Sequence, residues 1–119
     1  MKLTTFGRVV RELRLAYDQP LKAMADFLEI SSAYLSGIEY GDKRLTEKVG
    51  EETCVFFTQC GAPIQDIRRL RAAISESMAS VSVEDLTSES RRRVAAFARA
   101  LRAGKPVNAS VDRWIESQM

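Results

Sequence analysis

Residues 21–41 read LKAMADFLEISSAYLSGIEYG, and their spacing decides the fold. Leu21, Met24, Ala25 and Leu28 recur at helical intervals and form one short apolar face. Ser31 offers a hydroxyl oxygen to the free N–H groups of a following helix. On that helix Tyr34, Leu35 and Ile38 turn inward. Gly41 closes it, because the position after a helix often needs a left-handed conformation. The result is two short helices joined by a turn of about three residues. Ala25 sits at their crossing, where a larger side chain would push the helices apart. Leu28 and Ile30 bracket the turn and anchor it to a core. The exposed face of the later helix is then Ser32, Ala33, Ser36, Gly37 and Tyr40.

Working outward, the periodicity stays helical. Phe6, Val9, Val10, Leu13 and Tyr17 share one face of a first helix. Pro20 fits the first turn of the next, with Asp18 or Gln19 as its cap. Thr46 caps a fourth helix, EKVGEETCVFFTQ, and Gly61 and Pro63 stop it. Ile64, Ile67, Leu70, Arg71, Ile74 and Met78 outline a longer amphipathic helix, with Arg68, Arg69 and Arg71 on its polar side. Residues 80–89 are Ser-rich and acidic and read as a connector. Thr87 or Ser88 opens a sixth helix whose Val94, Phe97, Ala98 and Leu101 share a face. Gly104 and Pro106 end it, and Val111, Trp114 and Ile115 predict a short last helix. Trp114 and Ile115 are expected to be buried, within the subunit or at a dimer seam. The fold class is all-α.

Composition removes several function classes. Among 119 residues there is no His, which excludes His-based catalytic triads and His-ligated metal sites. No Gly-rich phosphate loop, convincing carboxylate pair or metal-ligand set appears, so neither an enzyme nor a cofactor is expected. Cys54 and Cys60 lie six residues apart on one helix. Their side chains point about 120° apart and start roughly 9 Å apart along the axis, which forbids a bridge between them. No apolar run approaches the ~20 residues of a membrane span. The start, MKLTTFGRVVREL, lacks an apolar leader core, so a cytoplasmic location is expected.

The paired short helices have the layout of a helix-turn-helix, whose second helix presents its N-terminal half to the DNA major groove. Residues 5–60 resemble the lambda-repressor-like (Cro/XRE-type) helix-turn-helix family. The resemblance rests on the RELR of Arg11–Arg14, the LKAMADFL run, the ISSAYLS turn and helix, and IEYGDKR. Ala25, Ile30, Ser31, Leu35, Ser36, Ile38, Glu39 and Gly41 match together. The resemblance implies a five-helix DNA-binding domain with a C-terminal helical extension.

Position by position, it implies that Ser32, Ala33 and Gly37 read base edges, with Ser36 beside them. It places Tyr40, Lys43 and Arg44 against phosphates, and it pairs Arg14 with Glu39 as a structural ion pair. Three positions depart from the family pattern. Leu21 stands where a Gln is common. Glu29 stands at a turn position usually held by Gly, which puts a Cβ into a left-handed conformation at a cost of about 1 kcal/mol. Gly37 brings no side chain to a reading position. Without long bidentate readers, base readout falls to hydroxyls, to Ala33 against a thymine methyl, to water and to DNA shape.

Charge is unevenly divided. Residues 1–60 hold eight basic and nine acidic side chains, a net of −1; residues 61–119 hold ten and seven, a net of +3. DNA binding then requires positive charge gathered on one face. Lys22, Lys43 and Arg44 supply it if Glu47, Glu51 and Glu52 face away. Arg91, Arg92 and Arg93 are a solvated face, an auxiliary patch for DNA backbone, or a contact for an acidic partner. The expected organisation is a DNA-binding domain over 1–62 and a dimerising helical region over 63–119. The expected function is a transcriptional regulator, as a repressor, binding double-stranded DNA at a palindromic operator as a homodimer. The alternative is an interaction module of antitoxin type, whose C-terminal helices hold a protein partner and whose DNA binding is secondary.

Overall fold

The computed structural model describes residues 2–78 and 80–118. Among them are seven helices and no strand: α1 Thr5–Ala16, α2 Leu21–Phe27, α3 Ser32–Glu39, α4 Glu47–Gln59, α5 Ile64–Ser77, α6 Ser88–Arg102 and α7 Ala109–Ser117. The chain is all-α. It divides into two compact units, residues 1–80 and residues 81–119.

Helix starts follow the side-chain chemistry. The hydroxyls of Thr4, Ser31 and Thr46 accept from the N–H groups of Gly7, Tyr34 and Val49 at 3.0, 3.0 and 3.2 Å. Each such cap is worth about 1 kcal/mol. At α2 the cap residue is Pro20 itself, extended at ψ 157° and without a side-chain cap bond, rather than Asp18 or Gln19. Asp18 instead takes a left-handed φ of 52° at the end of α1. The Gln19 N–H then donates to the Arg14 carbonyl at 2.8 Å, tying down the last turn of that helix.

The core of the first unit surrounds α1. Phe6, Val9, Val10 and Leu13 meet Met24, Ala25, Leu35, Ile38, Phe57 and Leu70 there. Helix α1 packs most extensively on α5 and also on α3, while α2 meets α3 and α4. Gly50 lets α4 approach α5: a Cβ there would lie 2.9 Å from Cγ2 of Ile74.

Helix α5 therefore belongs with α1–α4, and the division falls after residue 80 instead of after residue 62. Gly61 and Pro63 punctuate the sequence like a linker, yet they make a tight corner. Gly61 has φ +95°, and the Ala62 N–H donates back to the Phe57 carbonyl at 3.0 Å. Ile67, Leu70, Ala73 and Ile74 are buried, and the Ser77 hydroxyl accepts from the Phe6 N–H at 2.9 Å. A chain cut after residue 62 would lose one wall of its core.

The α2–α3 turn places Glu29 at φ +57°. The Ile30 N–H reaches back to the Ala25 carbonyl at 3.1 Å, which holds the turn closed. A left-handed residue with a Cβ is strained by about 1 kcal/mol or more. Glu29→Gly is therefore expected to raise stability by about 1 kcal/mol despite glycine's greater unfolded-state entropy. Glu29→Val should lower it. Thermal unfolding monitored by circular dichroism reads both signs.

In the second unit the Thr87 hydroxyl accepts from the Ser90 N–H at 3.1 Å and opens α6. The Asn108 side chain does the same for Ser110 at 2.8 Å and opens α7. Gly104, at φ +74°, ends α6. No residue of α6 or α7 is buried. Trp114 is 65% exposed, so it is not buried within its own subunit, and Ile115 is half-buried.

Candidate functional site

Helix α3 is gripped on its inner side and at its C-terminal end. Leu35, Ile38 and Glu39 are buried. The Glu39 carbonyl accepts from the Thr4 N–H at 2.9 Å and from the Thr4 hydroxyl at 3.0 Å. Gly7 makes that approach possible, because a Cβ on Gly7 would sit 2.2 Å from the Glu39 carbonyl oxygen. A lone glycine inside a helical pattern is the signal for such a contact.

The Glu39 side chain is clasped by two arginines. Arg14 meets it through both outer nitrogens, at 2.9 and 3.0 Å. Arg14 also lies 3.3 Å from the sulfur of Met24. Both members of this pair are buried, Arg14 at 7% and Glu39 at 0% exposure. Arg11 adds a third bond through Nε at 3.0 Å, and its guanidinium lies 4.9 Å over the ring of Tyr40. The Glu39 carboxylate pushes the Arg11 guanidinium further up from its ordinary range, with Tyr40 adding to the effect and burial opposing it. The triad carries one negative and two positive charges, and the surplus sits on the half-exposed Arg11.

The outer side of α3 carries small polar groups. Ala33 is exposed, and Ser32, Ser36 and Gly37 are half-buried. Tyr34 points outward at 43% exposure, contrary to the inward direction expected from spacing. One residue is a 100° rotation, so Leu35 and Ile38 take the core side and leave Tyr34 at its edge.

Beyond α3 the loop folds back. The N–H groups of Asp42 and Lys43 both donate to the Gly37 carbonyl, at 2.8 and 3.1 Å. This return lays the Lys43 stem over Gly37, where a Cβ would meet Lys43 Cγ at 2.8 Å. Gly37 is thus a seat for Lys43 more than an open reading position. The Lys43 ammonium lies 6.0 Å from the centre of the Tyr34 ring.

Of the cations expected at phosphates, Lys43 and Arg44 are exposed beside α3. Lys22 is also exposed, but Asp26 binds it at 3.0 Å across one helical turn and offsets its charge. Tyr40 is half-buried beneath Arg11, not free on the outer face. Among the acidic residues of α4, Glu51 is occupied by Arg71 of α5 at 2.7 Å. Arg69 of α5 pairs with Glu12. Arg91, Arg92 and Arg93 lie in the second unit. Arg91 donates to the carbonyls of Val83, at 2.9 Å, and Glu84, and Arg93 pairs with Glu89 at 2.6 Å. Arg11, Thr4 and Gly7 are the residues at this site that spacing alone passed over, and Tyr34 is the one it turned the wrong way.

Cys54 and Cys60 are free, and burial pushes both thiols up from their ordinary value. Among the described residues no cluster of acidic, Cys or His side chains is arranged to hold a metal ion. No described helix is long and apolar enough to cross a membrane. Comparison with protein-family models, with curated proteins and with solved structures finds no match.

Proposed function

We propose that residues 1–80 form a lambda-repressor-like helix-turn-helix domain that binds double-stranded DNA, with α3 lying in the major groove. The observation that carries this reading is the grip on α3. Its C-terminal end is held by Thr4, Arg11 and Arg14, while its N-terminal half stays open beside Lys43 and Arg44. In this reading Ser32 and Ser36 offer hydroxyls to base edges, Ala33 meets a thymine methyl, and Tyr34 adds an aromatic edge. Lys43 and Arg44 neutralise phosphates. Discrimination per half-site is modest, so the chain acts as a homodimer on a palindromic operator, most simply as a transcriptional repressor.

Selection of bound duplexes from a random pool tests this with the full-length chain. A two-fold symmetric consensus is the expected outcome. The double variant Lys43→Ala with Arg44→Ala should then weaken binding to every sequence. It should flatten the dependence of log affinity on log salt by about two units of slope per subunit. No enrichment from the pool, or an unchanged slope, overturns the respective assignment.

A second reading is favoured by one observation: α6 and α7 bury none of their own apolar residues. In it the C-terminal unit docks a different protein, as in antitoxin-type pairs, and DNA binding is autoregulatory.

A further inference from the structure

Helices α6 and α7 line an open groove of about 660 Å³ formed by Ser90, Arg93, Val94, Phe97, Val111, Trp114 and Ile115. We infer that a second copy of this chain covers this groove, its Trp114 seated against Val94 and Phe97 in a two-fold symmetric four-helix seam. The inference deepens the dimer part of the function proposed above, by naming the surface and the residue that fills it.

Three physical points select a second copy. First, none of the helical residues of this unit is buried, so its apolar side chains have no cover among the described residues. A second copy would cover these faces, and four helices brought together in this way make a bundle.

Second, the area fits. Val94, Phe97, Leu101, Val111 and Trp114 are 44, 40, 47, 41 and 65% exposed. Taking about 200 Å² for a whole aromatic side chain and about 150 Å² for Val and Leu, they offer roughly 400 Å² of apolar surface. A homodimer seam is about 65% apolar, so this corresponds to roughly 600 Å² per copy. A standard interface buries about 800 Å² per partner.

Third, two-fold symmetry requires one patch to supply both the group that inserts and the place that receives it. This patch has an exposed indole, Trp114, and an apolar groove that the same indole helps to line. The charges do not oppose this. Arg91 is tied to the connector carbonyls and Arg93 to Glu89. Arg92 and Arg99 fall by helical spacing on the side away from Val94, Phe97 and Leu101.

Trp114 is the only tryptophan in the chain, so it reports its own environment. With the full-length protein, its emission should be red and readily quenched by acrylamide at nanomolar concentration. At tens of micromolar it should turn blue and protected, and sedimentation should show the mass double over the same range. Phe97 is not buried within its own chain, and Phe97→Glu should raise the dimer dissociation constant at least 100-fold. Far-UV circular dichroism of its 1–80 unit should be preserved. A mass that stays single at 100 µM, a dimer whose Trp114 remains exposed, or a Phe97→Glu chain that dimerises like the parent each overturns the inference. A chain that selects operator DNA but stays single faults this inference alone. A chain that dimerises through Trp114 but selects no DNA upholds it and removes the DNA reading.

Discussion

Glu39→Ala is expected to lower the free energy of unfolding by about 3–5 kcal/mol. The carboxylate is fully buried and accepts three bonds, two from Arg14 and one from Arg11. Its removal strands the Arg14 guanidinium at 7% exposure, with Met24 sulfur as its remaining contact among those described. A domain of this size is stable by only about 5–15 kcal/mol in total, so a large share would go. The loss belongs to the uncompensated charge and not to a strong attraction between the partners. A second variant separates these causes. Arg14→Met in the Glu39→Ala background removes the stranded charge and should recover a good part of the stability. Urea unfolding followed by far-UV circular dichroism reads both. A Glu39→Ala cost below about 1 kcal/mol, the level of an exposed pair, would show that the clasp does not brace α3.

Gly7→Ala should also destabilise, and its sign is the informative part. In an exposed helix interior the same change stabilises by about 1 kcal/mol, because alanine is the better helix former. At residue 7 the new Cβ would fall 2.2 Å from the Glu39 carbonyl oxygen. Both atoms belong to or sit on backbone, so no rotamer change relieves the overlap, and α1 must move away from α3. Overpacking of this kind costs about 1–3 kcal/mol. The shift would also lengthen the bonds from Thr4 to the same carbonyl. A measured gain in stability at residue 7 would mean that the two helices are not held in contact there.

Much of the helical layout was legible in the sequence, because its causes are local. Ser31, Thr46 and Thr87 announce helix starts, and Gly41 and Gly104 announce ends, each by the backbone group its side chain satisfies or the φ it permits. The strain at Glu29 was implied by the resemblance, through a turn position usually held by Gly. What escaped were the long-range contacts. The meeting of Gly7 with Glu39 is backbone against backbone, and it leaves only a glycine in the wrong place as its trace. The outward turn of Tyr34 and the burial of Tyr40 under Arg11 depend on which neighbour wins the inner side of a narrow helix. The corner at Gly61–Pro63 has the composition of a linker but the geometry of a tight helix–helix connection, which moved the division of the chain from residue 62 to residue 80. In α6 and α7 the apolar stripes were plain, but nothing in the stripes says whether the same subunit covers them. The pairing of Arg14 with Glu39 was implied by resemblance, not by spacing.

The clasp has a mechanical consequence. Helix α3 is fixed at Glu39, along Leu35 and Ile38, and through the closed turn to α2, while the side chain of Ala33 stays exposed. The residues that fasten it and the residues it displays are different residues. Substitution on the displayed face therefore changes that surface and leaves the mounting intact. A helix mounted this way can change its outer face by single steps, each of which still folds.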